Sequence, residues 1–175
     1  LHCIRVDLDE PLSSISFEED WTDTPISLFL PRLGAFREFA DKLDVTKRMS
    51  LRVFLSTDFS ENCTSLRILA SLGVHCGVVF GKKPVDWELL GELAHYAIYG
   101  RAPHATIEPF QYIASQYVPK EFTDFGSVYF DNPARYLHID AMGRLALTHE
   151  KLAAGDFVSE SLDDVESIEE NEQYK

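Results

Sequence analysis

Hydrophobic positions along this chain change period several times, and the changes mark out its elements. Leu51-Arg52-Val53-Phe54-Leu55 is a nearly unbroken apolar run, and residues 74–81 (VHCGVVFG) form another. Between them Leu66, Leu69, Ala70 and Leu72 recur at helical spacing and stop at Gly73, a natural residue just past a helix end. Residues 51–81 thus read as strand, loop, helix, strand: one βαβ unit. Strands apolar on both faces suit a parallel sheet covered by helices. Asp58, with Glu61 three residues on, predicts a capping box for the helix.

The same reading extends in both directions. Residues 2–8 and 27–30 predict short strands, the second stopped by Pro31. Leu33, Phe36, Phe39, Ala40 and Leu43 share one face of a helix. After the βαβ unit, Asp86 predicts an N-cap for a helix carrying Leu89, Leu90, Leu93, Ala94, Ala97 and Ile98, ending at Gly100. Residues 104–107 predict a third strand of the parallel layer, and Pro109 suits the first turn of a helix with Phe110, Ile113, Ala114 and Tyr117. Residues 126–130 are β-prone. Residues 136–140 and 144–148 alternate about Ala141-Met142-Gly143, a hairpin with glycine where positive φ is wanted. The expected fold is α/β: a parallel βα layer, partial barrel-like, with a C-terminal antiparallel hairpin and an acidic tail. In domain terms, residues 1–156 form one α/β domain, with an acidic lead-in over 1–30 and the hairpin region over 125–148. Residues 157–175 form an acidic, flexible tail.

Charge sharpens that division. The chain has 175 residues and a net charge of −13, and the acids crowd its ends. Asp7, Asp9, Glu10, Glu18, Glu19, Asp20 and Asp23 face one base before residue 30, and Glu160, Asp163, Asp164, Glu166, Glu169, Glu170 and Glu172 face one base after residue 157. The middle is nearly balanced, with no basic stripe to neutralise phosphates, so nucleic-acid binding is not expected. No apolar run reaches the ~18 residues of a membrane helix, and no basic stretch precedes an apolar block at the start, so neither a membrane span nor a signal peptide is expected. Cys3, Cys63 and Cys76 are too scattered for a metal site and read as small apolar residues in a reduced, cytoplasmic setting. No cofactor and no metal are expected.

In parallel α/β layers ligands gather beyond the carboxyl ends of the strands. That edge would display Ser56, Thr57 and Asp58 after the first strand of the unit, Lys82 after the second and Glu108 near the third. On the hairpin, His138 and Asp140 would share a face, as a proton-transfer pair requires. These seven are the candidate ligand-binding residues, and capping and surface roles compete with each assignment. His95, between Leu93 and Tyr96, reads as a packing residue. No catalytic residue is assigned: the P-loop, the dinucleotide fingerprint and the nucleophile elbow are all missing. Tyr112, Tyr117, Phe122, Phe125 and Tyr129 read as packing between helix and hairpin, with a peptide groove as the other reading.

The order helix, LRVFLSTDF, SLRILASLGVHCGVVFG resembles the repeated units in the partial (βα) barrel of radical SAM proteins, and YLHIDAMGRLALT resembles the hairpin opening the SPASM-type extension of their peptide-maturing members. The resemblance covers residues 33–150. It implies a half-barrel and a link to peptide modification. The family's CxxxCxxC cluster motif and its Gly-Gly-Glu stretch are absent, so no cluster or catalytic residue carries over. The chain is then a portion of a larger protein or a cofactorless relative. The expected function is a peptide- or protein-binding scaffold module. The alternative is a small-molecule enzyme of βα-barrel type using strand-end carboxylates.

Overall fold

The computed structural model describes residues 4–7, 26–34, 39–40, 43–48, 51–129, 137–140 and 142–161. Among the described residues the strands are β1 (Ile4–Asp7), β2 (Ile26–Leu30), β3 (Leu51–Ser56), β4 (His75–Val79), β5 (Ile107–Glu108), β6 (His138–Ile139) and β7 (Leu145–Ala146). The helices are α1 (Leu43–Arg48), α2 (Glu61–Ser71), α3 (Trp87–Tyr99), α4 (Phe110–Gln116), α5 (Gly126–Tyr129) and α6 (His149–Ala154). They fall into two compact units, Val6–Thr123, and Leu1–Arg5 with Asp124–Lys175.

The sheet runs in the order β1-β2-β3-β4-β5, and β2 to β5 are parallel. Spatial order here equals sequence order. Right-handed crossovers joining strands laid down in that order put their helices on one face of the sheet. Register then decides which side chains meet them. Leu28, Val53, Cys76 and Ile107 are aligned across the four strands, and the Cys76 thiol reaches the Leu66 carbonyl of α2 at 3.5 Å. Their row is therefore the helix side. Phe29, Phe54, Gly77 and Glu108 form the next row, on the other face. Phe29 and Phe54 stack there at 4.4 Å with rings 3° from parallel, and both are buried. Gly77 makes room for them, since a Cβ on it would stand 2.6 Å from the Phe54 ring.

Helix α2 buries Leu66, Leu69 and Ala70 and stops as the sequence implies. Gly73 has φ +83, its N–H bonds the Ala70 carbonyl, and the Val74 N–H bonds the Leu69 carbonyl. These are the paired bonds of a Schellman motif. Asp86 caps α3, accepting the Leu89 N–H at 3.1 Å, and Leu90, Leu93 and Ala97 form the buried stripe.

In the second unit β6 and β7 form the expected antiparallel hairpin, with Gly143 at φ +82. Chain order extends beyond it: Leu145 also bridges Ser159. Thr148 caps α6 and Gly155, at φ +74, ends it.

Several expectations change. The parallel layer has four strands, because residues 26–30 join it. Leu33 is buried but not helical, while Phe39 and Ala40 are. Residues 126–129 are a helical turn instead of a strand: the Asp124 carboxylate accepts the Gly126 N–H at 2.8 Å, and local bonds to the Phe125 carbonyl satisfy Val128 and Tyr129. Most of the acidic lead-in, the tail from residue 162, and Cys3 lie outside the described residues.

Candidate functional site

At the carboxyl end of the parallel strands, one set of predicted residues does come together. Thr57 follows β3; its N–H bonds the Val79 carbonyl at 2.9 Å, and its hydroxyl accepts the Gly81 N–H at 3.0 Å. The next carboxylate, Asp58, accepts the Lys83 N–H at 2.6 Å. That bond foremost, joined by the Lys82 amide, the Lys83 charge and the Ser56 hydroxyl, holds the Asp58 pKa below the ordinary carboxylate value against desolvation. Lys83 closes the arrangement from the other side, donating through Nζ to the Asp58 carbonyl at 3.3 Å and lying 4.6 Å from the Phe59 ring centre. A Cβ on Gly81 would collide with the Asp58 carboxylate, so glycine alone fits beneath it. The loop after β3 is thus clasped to the loop after β4.

The capping box is not how α2 begins. Ser60 stands at the N-cap without a side-chain cap bond, and Asp58 is committed to the neighbouring loop. Ser56 accepts the Asp58 N–H at 3.1 Å, a local turn. Lys82 contributes its amide to Asp58 and leaves its side chain exposed. Glu108, the last residue of β5, turns toward the helix that follows, accepting the Tyr112 N–H at 3.1 Å in the first turn of α4.

Asn62 is a residue that sequence reasoning missed. It is buried, and its amide nitrogen donates to the Pro31 and Ser56 carbonyls at 2.7 Å each, stapling the ends of β2 and β3. A polar residue two positions inside a helix gave no sign of this; only the fold brings Pro31 near it.

On the hairpin, His138 is buried, and its ring centre lies 6.3 Å from that of His149. Asp140 is engaged elsewhere. One oxygen accepts the Met142 and Arg144 N–H groups at 2.8 and 3.0 Å, and the other meets the Arg144 guanidinium at 2.6 Å. Desolvation pushes the Asp140 pKa up, yet the Arg144 side-chain and backbone bonds and the Met142 amide outweigh it and leave it lowered. Arg144 in turn lies 4.0 Å over the Phe157 ring. The carboxylate organises a turn.

Cysteine chemistry is muted. Burial pushes the Cys76 thiol well up, and desolvation with the nearby Asp86 charge also raises that of Cys63. Among the described residues no group of three His, Cys, Asp or Glu stands ready for a metal ion, and no helix is long and apolar enough to cross a membrane.

A different surface is also concave. Between α2 and α3 lies an open groove of about 470 Å³ lined by Arg67, Glu92, His95, Tyr96, Tyr99 and Arg101. Outward aromatics continue elsewhere: Trp87 lies 6.4 Å from Phe80, and both are exposed. Tyr117 and Phe122, expected as packing, are exposed too, Phe122 completely. No family model matches the chain, and no curated protein or solved structure matches it either.

Proposed function

We propose that this chain is a peptide- or protein-binding scaffold module built on a singly wound βα layer, a cofactorless relative or a portion of a radical SAM peptide-modifying protein. The observation that carries the reading is the Asp58 clasp. A carboxylate serving as general base must face a substrate proton, whereas Asp58 is occupied by backbone amides of the adjacent loop. On the neighbouring face of the sheet Phe29 and Phe54 are buried in a stack, a packing role. Outward Tyr, Trp and Arg side chains are the types that anchor protein contacts.

An array of short peptides probed with the whole chain tests this. Sequence-selective binding is expected, and it should persist in an Asp58→Asn/Glu108→Gln double variant that circular dichroism shows to be folded. No selective binding, or binding lost in the folded double variant, would overturn the reading.

A further inference from the structure

We propose that the groove between α2 and α3 takes an acidic peptide segment, its carboxylates pairing with Arg67 and Arg101 and an apolar or aromatic neighbour lying on Tyr99. This rests on the binding-module reading and names its site and partner.

Several contacts brace the wall of the groove. Tyr96 lies under the Arg67 guanidinium at 5.0 Å, stacks on His104 at 4.8 Å, and exchanges a 2.8 Å hydrogen bond with the Ser71 hydroxyl. His104 is itself held, its Nδ1 2.8 Å from the Ala105 carbonyl. Gly100 permits that approach, since a Cβ there would stand 3.0 Å from the His104 ring. Ordering a partner against such a surface costs little further side-chain entropy.

Among the described residues the cations of the groove form no ion pair. Arg67 and Arg101 are exposed, and among the described residues neither has a carboxylate within ion-pair distance, although Glu92 lines the same groove. Arg101 stands just past the carbonyl end of α3, where a cation complements the helix dipole. That role uses its charge and leaves its five N–H donors available. Guanidinium forks match carboxylates in two-bond geometry. Tyr99 is 69% exposed, with its ring 5.2 Å from His95, and presents a broad apolar face beside them.

Charge selects among anionic partners. Two arginines satisfy two carboxylates, and Glu92 on the same groove repels a denser anionic array such as a polyanion or a lipid surface. Enclosed ligand sites bury most of a small molecule; this groove is open to solvent and suits a segment of chain.

The test uses a fluorescein-labelled Glu-Tyr-Glu-Phe-Glu peptide and its Gln-Tyr-Gln-Phe-Gln analogue against the whole chain, read by anisotropy and by amide shifts in NMR spectra. The acidic probe should bind at least about tenfold more tightly than the analogue, shift the Tyr96, Tyr99 and Arg101 signals, and weaken by a similar factor in an Arg67→Gln/Arg101→Gln variant. Raised salt should weaken it. Equal binding of both probes, or shifts confined to other surfaces, overturns the acidic-groove assignment while the module reading stands. Failure of every peptide, here and on the array, removes both. Groove-dependent binding to phosphatidylserine vesicles with none to the acidic probe also overturns the assignment.

Discussion

Gly77 and Gly91 offer the same substitution with opposite expected signs. In Gly77→Ala the new Cβ would stand 2.6 and 2.8 Å from Phe54 ring carbons and 2.9 Å from the Glu108 carbonyl oxygen. Phe54 has no accessible surface and is stacked on Phe29 at 4.4 Å, so the ring has no space to retreat into. The carbonyl belongs to the β5 partner of Gly77 and moves only with the strand. Overpacking costs typically ~1–3 kcal/mol, and these contacts place it near the upper end. Replacing glycine returns ~0.5–1 kcal/mol of backbone entropy, which leaves a net loss of about 2 kcal/mol. For a chain of this size that lowers the melting midpoint by roughly 4–8 °C. Gly91 lies within α3 with nothing within 4 Å of its would-be Cβ, so Gly91→Ala should gain ~0.5–1 kcal/mol from helix propensity alone. Urea titration followed by far-ultraviolet circular dichroism measures both. A Phe54→Leu/Gly77→Ala double variant should be more stable than the sum of its single losses implies, because leucine withdraws the ring edge. If Gly77→Ala proves as stable as the parent, the assignment of Phe54 to the crowded face beside Gly77 is wrong.

Two further outcomes follow from the edges of the sheet. The outward N–H of the edge strand β5, at Ile107, is taken by the Gln111 side-chain oxygen at 2.8 Å, and the Gln111 nitrogen passes on to the Ala97 carbonyl at 2.7 Å. Gln111→Leu should cost ~1–3 kcal/mol by stranding both groups and should speed hydrogen exchange at Ile107, whereas Gln111→Glu should keep the Ile107 amide protected; unchanged exchange in the leucine variant would refute the closure. The Asp58 clasp should follow acid titration. Its folded-state pKa lies below the ordinary value, so the contribution is present above the unfolded-state pKa and is lost as pH falls through the lowered folded one. Amide shifts of Lys82 and Lys83 should therefore move together in that acidic window, and Asp58→Asn should abolish the movement.

The parallel layer was legible because it depends on local pattern. Apolar runs at 27–30, 51–55 and 74–81 and the punctuation of Gly73 and Asp86 each correspond to one element, although 27–30 reads from sequence only as a short strand with no place in that layer. Element type failed where a short segment's partners outweighed its propensity. Residues 126–129 contain Val, Tyr and a glycine, yet Asp124 and the Phe125 carbonyl supply the bonds of a helical turn. Strand-end residues were placed at the correct edge, but their use was not readable from residue type. Whether Asp58 faces a ligand or the amide of Lys83 depends on a loop 25 residues away, and sequence spacing carries no information about that bond. Aromatic residues failed in the other direction. Tyr117 and Phe122 were expected inside because large apolar side chains favour burial, and they are outside.

That last mismatch bears on what the molecule does. Natural sequences agree across levels except where function requires a departure, and scattered exposed apolar residues need no explanation. Tyr99 differs from a scattered residue in its company. It shares a groove with two arginines that have no ionic partner among the described residues, and with a tyrosine fixed on its own element by contacts from α2 and from His104. Folding α3 asks only for Leu90, Leu93 and Ala97 on the buried stripe. Nothing in that requirement selects Tyr99 for the outer surface, where lysine, glutamate or alanine would serve the helix better. The strand-end carboxylates show the converse: Asp58 and Glu108 each have a structural task that accounts for their presence. Residues explained by the fold are poor candidates for the site, and residues the fold leaves unexplained are the better ones. By that criterion the binding surface we propose belongs on the helix layer, outside the strand-end region where folds of this kind usually carry their chemistry.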